Sequence, residues 1–254
     1  MKHLLICTIL RNQRLNVNRW FEQIVRLAAL IKDEWKVELV AYENDSQDGT
    51  AEWLRNTAAN SLSLGISFPM MVATETLDTY QYGSVWDAQR LKQLADARNR
   101  CLDLAGDLTR FSKVCYIEPD VTYSPEWCSE LILANHPCAA GIGEPDIYSG
   151  WSLRSHKNPK ESIFLFDTCA TRQNSDHLSW DFARAETWRP ASVIPTNFGG
   201  YDAMCLHSLW STFNCFCVYT SKPFIEGVKW GWVNHRLNTG QQYIDDGDLG
   251  SGWL

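Results

Sequence analysis

At 254 residues, with 45% hydrophobic and 21% charged side chains, the chain has the length and composition of one α/β domain with a substantial core and no room for a long disordered tail. A formal net charge of −7 argues against a broad grip on nucleic acid or anionic membrane, since both need surplus Lys and Arg. No apolar run approaches the roughly 20 residues that span a bilayer, and the nine cysteines form no CxxC pair, so a soluble, cytoplasmic chain with free thiols and no stable membrane insertion is expected.

Residues 3–9 and 37–42 are apolar runs of strand length. Between them Trp20, Phe21, Ile24, Leu27, Ala28 and Ile31 recur at helical spacing, with Arg19, Glu22, Gln23 and Arg26 on the opposite face, which completes a βαβ unit. The polar loop 43–50 leads into a helix over 51–62, and 65–73 reads as a third strand. Residues 77–84 have no clear period and read as a loop; 85–104 are helical. Residues 113–117 form a buried strand that Pro119 must end, because proline cannot donate to a ladder. Ser124-Pro125-Glu126 opens a further helix, with a capping hydroxyl, a proline at the first helical position and an acid in the first turn. Strand and helix alternate four times, which demands a mainly parallel sheet covered on both faces. Beyond residue 135 the pattern changes to strands over 139–142, 163–166 and 216–219, separated by long loops rich in Trp, Asn, Gly and Pro. One domain over 1–254 is expected, with halves 1–135 and 136–254.

Carboxylates gather where these strands end, and in open α/β sheets ligands bind outside the carboxyl ends. Glu43 and Asp45 follow the second strand, Glu118 and Asp120 the fourth, and Asp167 a strand of the second half. Two carboxylates one residue apart can aim at one crevice, where a hard divalent cation would bridge the phosphates of a diphosphate and stabilise its departure. Acid-x-acid triplets are also frequent in solvated turns, so the triplet gains weight only from its surroundings. Asp48 fits a turn or helix cap. The acidic tail Asp245-Asp246-Gly247-Asp248 lacks the distal acid of a calcium loop and reads as a solvated turn or lid.

The run Tyr42-Glu43-Asn44-Asp45-Ser46-Gln47-Asp48-Gly49-Thr50, then Ala97-Arg98-Asn99-Arg100, then Tyr116-Ile117-Glu118-Pro119-Asp120 with Pro125-Glu126, follows the order of GT-A glycosyltransferases. More narrowly it resembles the fungal capsule-associated α-1,3-mannosyltransferase family, whose later segments Phe166-Asp167-Thr168 with Arg172, and Val218-Tyr219-Thr220-Ser221-Lys222-Pro223-Phe224, are also matched. The family's usual Asn-Asp strand end is here Glu118-Pro119-Asp120, its Trp-Asn-Gly segment is not evident and its membrane anchor is not expected here.

The resemblance implies a GT-A fold with a nucleotide-sugar-binding half and an acceptor-binding half. It further implies metal-assisted transfer of a hexose, mannose from GDP-mannose or a sugar from a UDP-hexose, with Mn2+ or Mg2+, and retention at the anomeric carbon. Asp120 becomes the main metal ligand, Glu118 a support for metal or ribose, and Glu43 and Asp45 neighbours of the nucleoside. Arg98 is placed to neutralise a phosphate, its planar fork matching phosphate oxygens; the alternative is a surface helix charge. Asp167 would position the acceptor hydroxyl or take its proton, and Arg172 would pair with Asp167 or a phosphate, a structural ion pair being the competing reading. His235 is either a late metal ligand or a structural histidine. The acceptor is a glycan or other hydroxyl compound, chosen by the loops between 148 and 201; Trp151, Trp180 and Trp188 there suit a sugar platform or inward packing equally. Two alternatives are a phage-type enzyme that glycosylates a modified base in DNA, which the acidic charge disfavours, and an inactive sugar-binding protein.

Overall fold

The computed structural model describes residues 1–82, 88–133, 147–149, 153–155, 163–165 and 216–230. The chain divides into two compact units, Met1–Ala134 with Val218–Trp253, and Asn135–Cys217 with Leu254. In the first unit β1 (Lys2–Leu10), α1 (Val17–Ile31), β2 (Trp35–Asn44), α2 (Thr50–Ala59), β3 (Met70–Glu75), α3 (Ala88–Ala105), β4 (Lys113–Ile117) and α4 (Pro125–Leu133) alternate as expected. In the second, the short strands β5 (Ile147–Ser149), β6 (Leu153–Ser155) and β7 (Ile163–Leu165) are described, and β6 and β7 pair antiparallel. The chain returns through β8 (Phe216–Thr220) to a short helix, α5 (Lys222–Ile225). The strand expected at 139–142 lies outside the described residues.

The sheet of the first unit runs β3-β2-β1-β4-β8. β1 is parallel to both β2 and β4, and β2 is parallel to β3. The chain therefore steps outward from β1 to β3 and then returns to the other side of β1. Right-handed crossovers consequently put α1 and α2 on one face and α3 on the other. The contacts agree: α1 packs with α4, while α3 lies across β1 and β2. Tyr116 of β4 faces α3, where its hydroxyl donates to Arg98 O at 2.9 Å, and the Cys101 thiol of α3 donates to Thr8 O of β1. Lys113, three residues earlier on β4, faces the opposite way, and its buried ammonium donates to Ile132 O in the last turn of α4.

β1 and β2 are central strands covered on both faces, so they read as apolar runs: Leu4, Leu5, Ile6, Cys7, Leu39, Val40 and Ala41 are fully buried. α1 inserts Val17, Trp20, Ile24, Leu27, Ala28 and Ile31 beneath this sheet. Burial of such a side chain contributes about 1.5–3 kcal/mol, so this stripe, rather than helix propensity, holds α1 in place. Phe21, expected in the stripe, is only half-buried and meets Trp53 and Phe68 edge-on. β3 starts at Met70, later than the expected residue 65. Gly65 sits at φ +68° in a left-handed turn, and Pro69, without an N–H, precedes the first paired residue. The described cysteines Cys7, Cys101, Cys115, Cys128 and Cys217 are buried free thiols.

Candidate active site

The sheet order reverses between β1 and β4, and the acidic turn begins just beyond the carboxyl end of β4. Glu118 directly follows β4, and its carboxylate accepts a hydrogen bond from Arg98 Nη2 of α3 at 2.9 Å, with side chains 27% and 13% exposed respectively. Burial pushes the Glu118 carboxyl above its ordinary range; the Arg98 charge opposes this, and the Asp120 charge adds to it. Asp120 is exposed, in the turn after buried Pro119. Arg98 also lies under the Trp230 ring, 5.1 Å from its centroid. Asn99, next on α3, clamps the Trp230 backbone, donating to its carbonyl at 2.9 Å and accepting from its N–H at 2.8 Å. The Arg-Asn pair therefore joins Glu118 on one side and the segment after α5 on the other, with Trp230 packed edge-on against Tyr116 and Tyr219.

Glu43, the last residue but one of β2, is buried, and its carboxylate accepts the Ser46 N–H at 2.7 Å. Asp45 takes up the left-handed conformation, φ 57°, which Asp tolerates better than most residues. Its Oδ1 accepts the N–H groups of Leu77 (2.6 Å) and Asp78 (3.0 Å). Its Oδ2 accepts the Thr79 N–H (3.1 Å) and hydroxyl (2.5 Å) and the Asn44 amide (2.9 Å). Burial alone would raise this carboxyl, yet the hydrogen bonds from Thr79, Leu77 and Asn44 outweigh it and hold the group well below the usual carboxylate range. Both acids expected beside a nucleoside thus accept loop hydrogen bonds, Glu43 through Oε1 and Asp45 through both oxygens. Asp48 accepts from the Thr50 N–H and hydroxyl and from the Arg14 N–H, tying the start of α2 to the loop after β1. Asp167, Arg172 and His235 lie outside the described residues, as do Trp151, Trp180, Trp188 and the tail 245–248.

Arg11 braces the same loop as Asp45 and carries no motif signal in the sequence. It follows β1 directly and its guanidinium donates to Thr79 O (2.6 Å), Thr79 Oγ1 (3.0 Å) and Tyr80 O (3.4 Å), 3.8 Å from Asp45. The rule that residues beyond a parallel strand face the crevice would have found it. Trp230 carries no such signal, because its partners Arg98, Asn99 and Tyr116 lie more than a hundred residues away.

A divalent cation fits this donor set only in part. Glu118 and Asp120 offer hard oxygens, and a cation between them would favour the charged form that burial, and less so the Asp120 charge, opposes in Glu118. Among the described residues no group of three His, Cys, Asp or Glu side chains could hold a metal alone. The remaining ligands would have to come from phosphate oxygens and water, as is usual for Mg2+ beside a nucleotide.

Comparison with known proteins decides the family. The family model described as Cryptococcal mannosyltransferase 1 matches residues 3–194, most of the chain. The chain belongs to that family. The helix-flanked, mainly parallel sheet is the α/β architecture expected of such a glycosyltransferase family. Among solved structures, residues 1–349 of TarS from S. aureus are 17% identical, at a TM-score of 0.34 over 52% of this chain and 31% of that one. The same protein in complex with UDP-GlcNAc matches likewise, over 30% of its chain. Core-mannan synthase A (CmsA/Ktr4) from Aspergillus fumigatus, in its Mn/GDP form, is 10% identical, at a TM-score of 0.30 over 88% of this chain and 61% of that one. This chain thus spans less than two thirds of the length of either. No curated protein matches. Among the described residues, no helix is long and apolar enough to cross a membrane.

Proposed function

We propose that this mannosyltransferase-family chain transfers a hexosyl group from a nucleoside diphosphate sugar, GDP-mannose being the family-implied donor, to a hydroxyl acceptor. The observation that carries the reading is the Glu118–Asp120 pair at the sheet's switch point with Arg98 bonded to Glu118. Asp120, exposed beyond the strand end, is the main ligand of Mn2+ or Mg2+, and Glu118 supports the metal or a ribose hydroxyl. A cation held there would neutralise charge on the departing diphosphate. Arg98 orients Glu118 and, through its second face, offers a guanidinium edge to a phosphate oxygen. Glu43 and Asp45 shape the floor beneath the nucleoside by fixing the loops after β2 and β3. Asp167 orients or deprotonates the acceptor hydroxyl, with Arg172 as its partner or a phosphate ligand, and His235 joins the metal. Residues 1–254 act as one catalytic domain, 1–135 taking the donor and 136–254 the acceptor, with retention at the anomeric carbon.

The test is Asp120→Asn. This change should leave the far-ultraviolet circular dichroism unaltered and abolish both sugar transfer and Mn2+-stimulated release of GDP from GDP-mannose. Wild-type rates in that variant would remove the metal assignment. No release from any nucleotide sugar by the unaltered chain would favour a sugar-binding protein without turnover.

A further inference from the structure

The polar side of α1 holds the connection between β4 and α4 at three successive points. Arg19 Nη2 donates to Pro119 O at 3.4 Å, Gln23 Nε2 donates to Tyr123 O at 2.5 Å, and Arg26 forms an ion pair with Glu126 in the first turn of α4. The donors are spaced four and then three residues apart, which keeps them on one stripe of the helix. Their partners at 119, 123 and 126 have the same spacing. This connection carries the acidic turn, and α1 is itself fixed in the core by its buried opposite stripe. A rigid helix is thus bonded, rung by rung, to the segment that presents Asp120.

The first rung acts at an informative atom. The carbonyl of Pro119 shares a planar peptide unit with the N–H of Asp120, so Arg19 Nη2, which Asn16 Oδ1 holds at 3.1 Å and which reaches that carbonyl at 3.4 Å, biases the orientation of the bond entering Asp120. Pro119 is buried, so its carbonyl has limited recourse to water. Gln23 fixes the same connection three residues beyond Asp120. Between the two rungs the exposed aspartate has little freedom to drift from Glu118.

We infer that Arg19 and Gln23 are positioning residues that hold Asp120 where its carboxylate meets a cation bound to a nucleoside diphosphate. This rests on the proposed function, and the test separates the two. Uptake of Mn2+ by the full chain with GDP is followed through loss of the free-ion electron paramagnetic resonance signal, and GDP binding without metal is measured in parallel. Gln23→Glu replaces the donating amide by a carboxylate of the same shape. Arg19→Gln shortens the first rung, while Arg19→Lys restores a donor. Half-saturating Mn2+ should rise about fivefold in Gln23→Glu and in Arg19→Gln, the equivalent of one hydrogen bond at ~1 kcal/mol, because the binding-competent turn is less populated. Arg19→Lys should recover most of that shift, and metal-free GDP binding should not change. Unaltered Mn2+ uptake in both variants, with Asp120→Asn still abolishing it, overturns the inference and leaves the proposed function standing. Equal losses of metal-dependent and metal-free binding also overturn it, as general loosening. Should Gln23→Glu fail to fold, the contrast between Arg19→Gln and Arg19→Lys decides. If the unaltered chain takes up no Mn2+ with GDP, the proposed function falls and the inference with it.

Discussion

Replacing Asp45 by Asn probes the loop that follows β3. The left-handed backbone at residue 45 suits Asn as well as Asp, so the change acts on the hydrogen bonds and the charge. One side-chain oxygen survives and keeps its donors. The other becomes an NH2 group facing either the N–H groups of Leu77 and Asp78 or the donors on Thr79 and Asn44. The first orientation gives up fewer bonds, two against three, and losing two charge-assisted bonds at ~1.5 kcal/mol each gives ~3 kcal/mol. Amide hydrogen exchange at Leu77, Asp78 and Thr79 reads that loss locally, as protection lower by on the order of a hundredfold. The sign with pH follows from the depressed folded value. Asp45 contributes fully above its unfolded pKa of about 3.9, and its contribution fades as the pH falls through that value towards the lower folded one. The stability difference between the two proteins in urea should therefore be full at pH 7 and shrink below about pH 4. Equal protection of the three amides in both proteins, or a gap that persists in acid, would refute the reasoning.

Asn99→Ala removes both bonds to the Trp230 backbone and should cost about 2 kcal/mol at roughly 1 kcal/mol per bond, with a red-shifted tryptophan emission as the segment loosens; an unchanged urea midpoint would contradict the clamp. Gly49→Ala meets no steric neighbour closer than 3.9 Å but must keep φ +87°, so a loss of about 1 kcal/mol is expected from backbone strain alone, and a gain in melting temperature would disprove it.

The fold was legible where one local signal sufficed. Leu4 to Cys7 and Leu39 to Ala41 announce central strands because burial on both faces leaves no polar position, and the α1 stripe announces its helix because core contacts recur at helical spacing. The start of β3 is hidden in the sequence because the apolar residues 66 and 68 look like strand while Gly65 and Pro69 impose a turn. Strand ends and motif order mark Glu118, Asp120 and Arg98 as candidates, yet they say nothing of the bonds around them. Asp45 is bound by residues 32 to 34 positions later, Gln23 by Tyr123 and Asn99 by Trp230. Bonds of such separation leave no periodicity, so Gln23 and Arg19 read as part of a solvated face until the fold brought β4 beside β1.

A crystal of the full chain soaked with Mn2+ and GDP addresses the central assignment most directly. The account requires an anomalous manganese peak at about 2.0–2.2 Å from an Asp120 oxygen, bridged to the diphosphate, with Glu118 turned towards the same centre. A manganese–GDP complex bound elsewhere, with Asp120 facing bulk water, would contradict it.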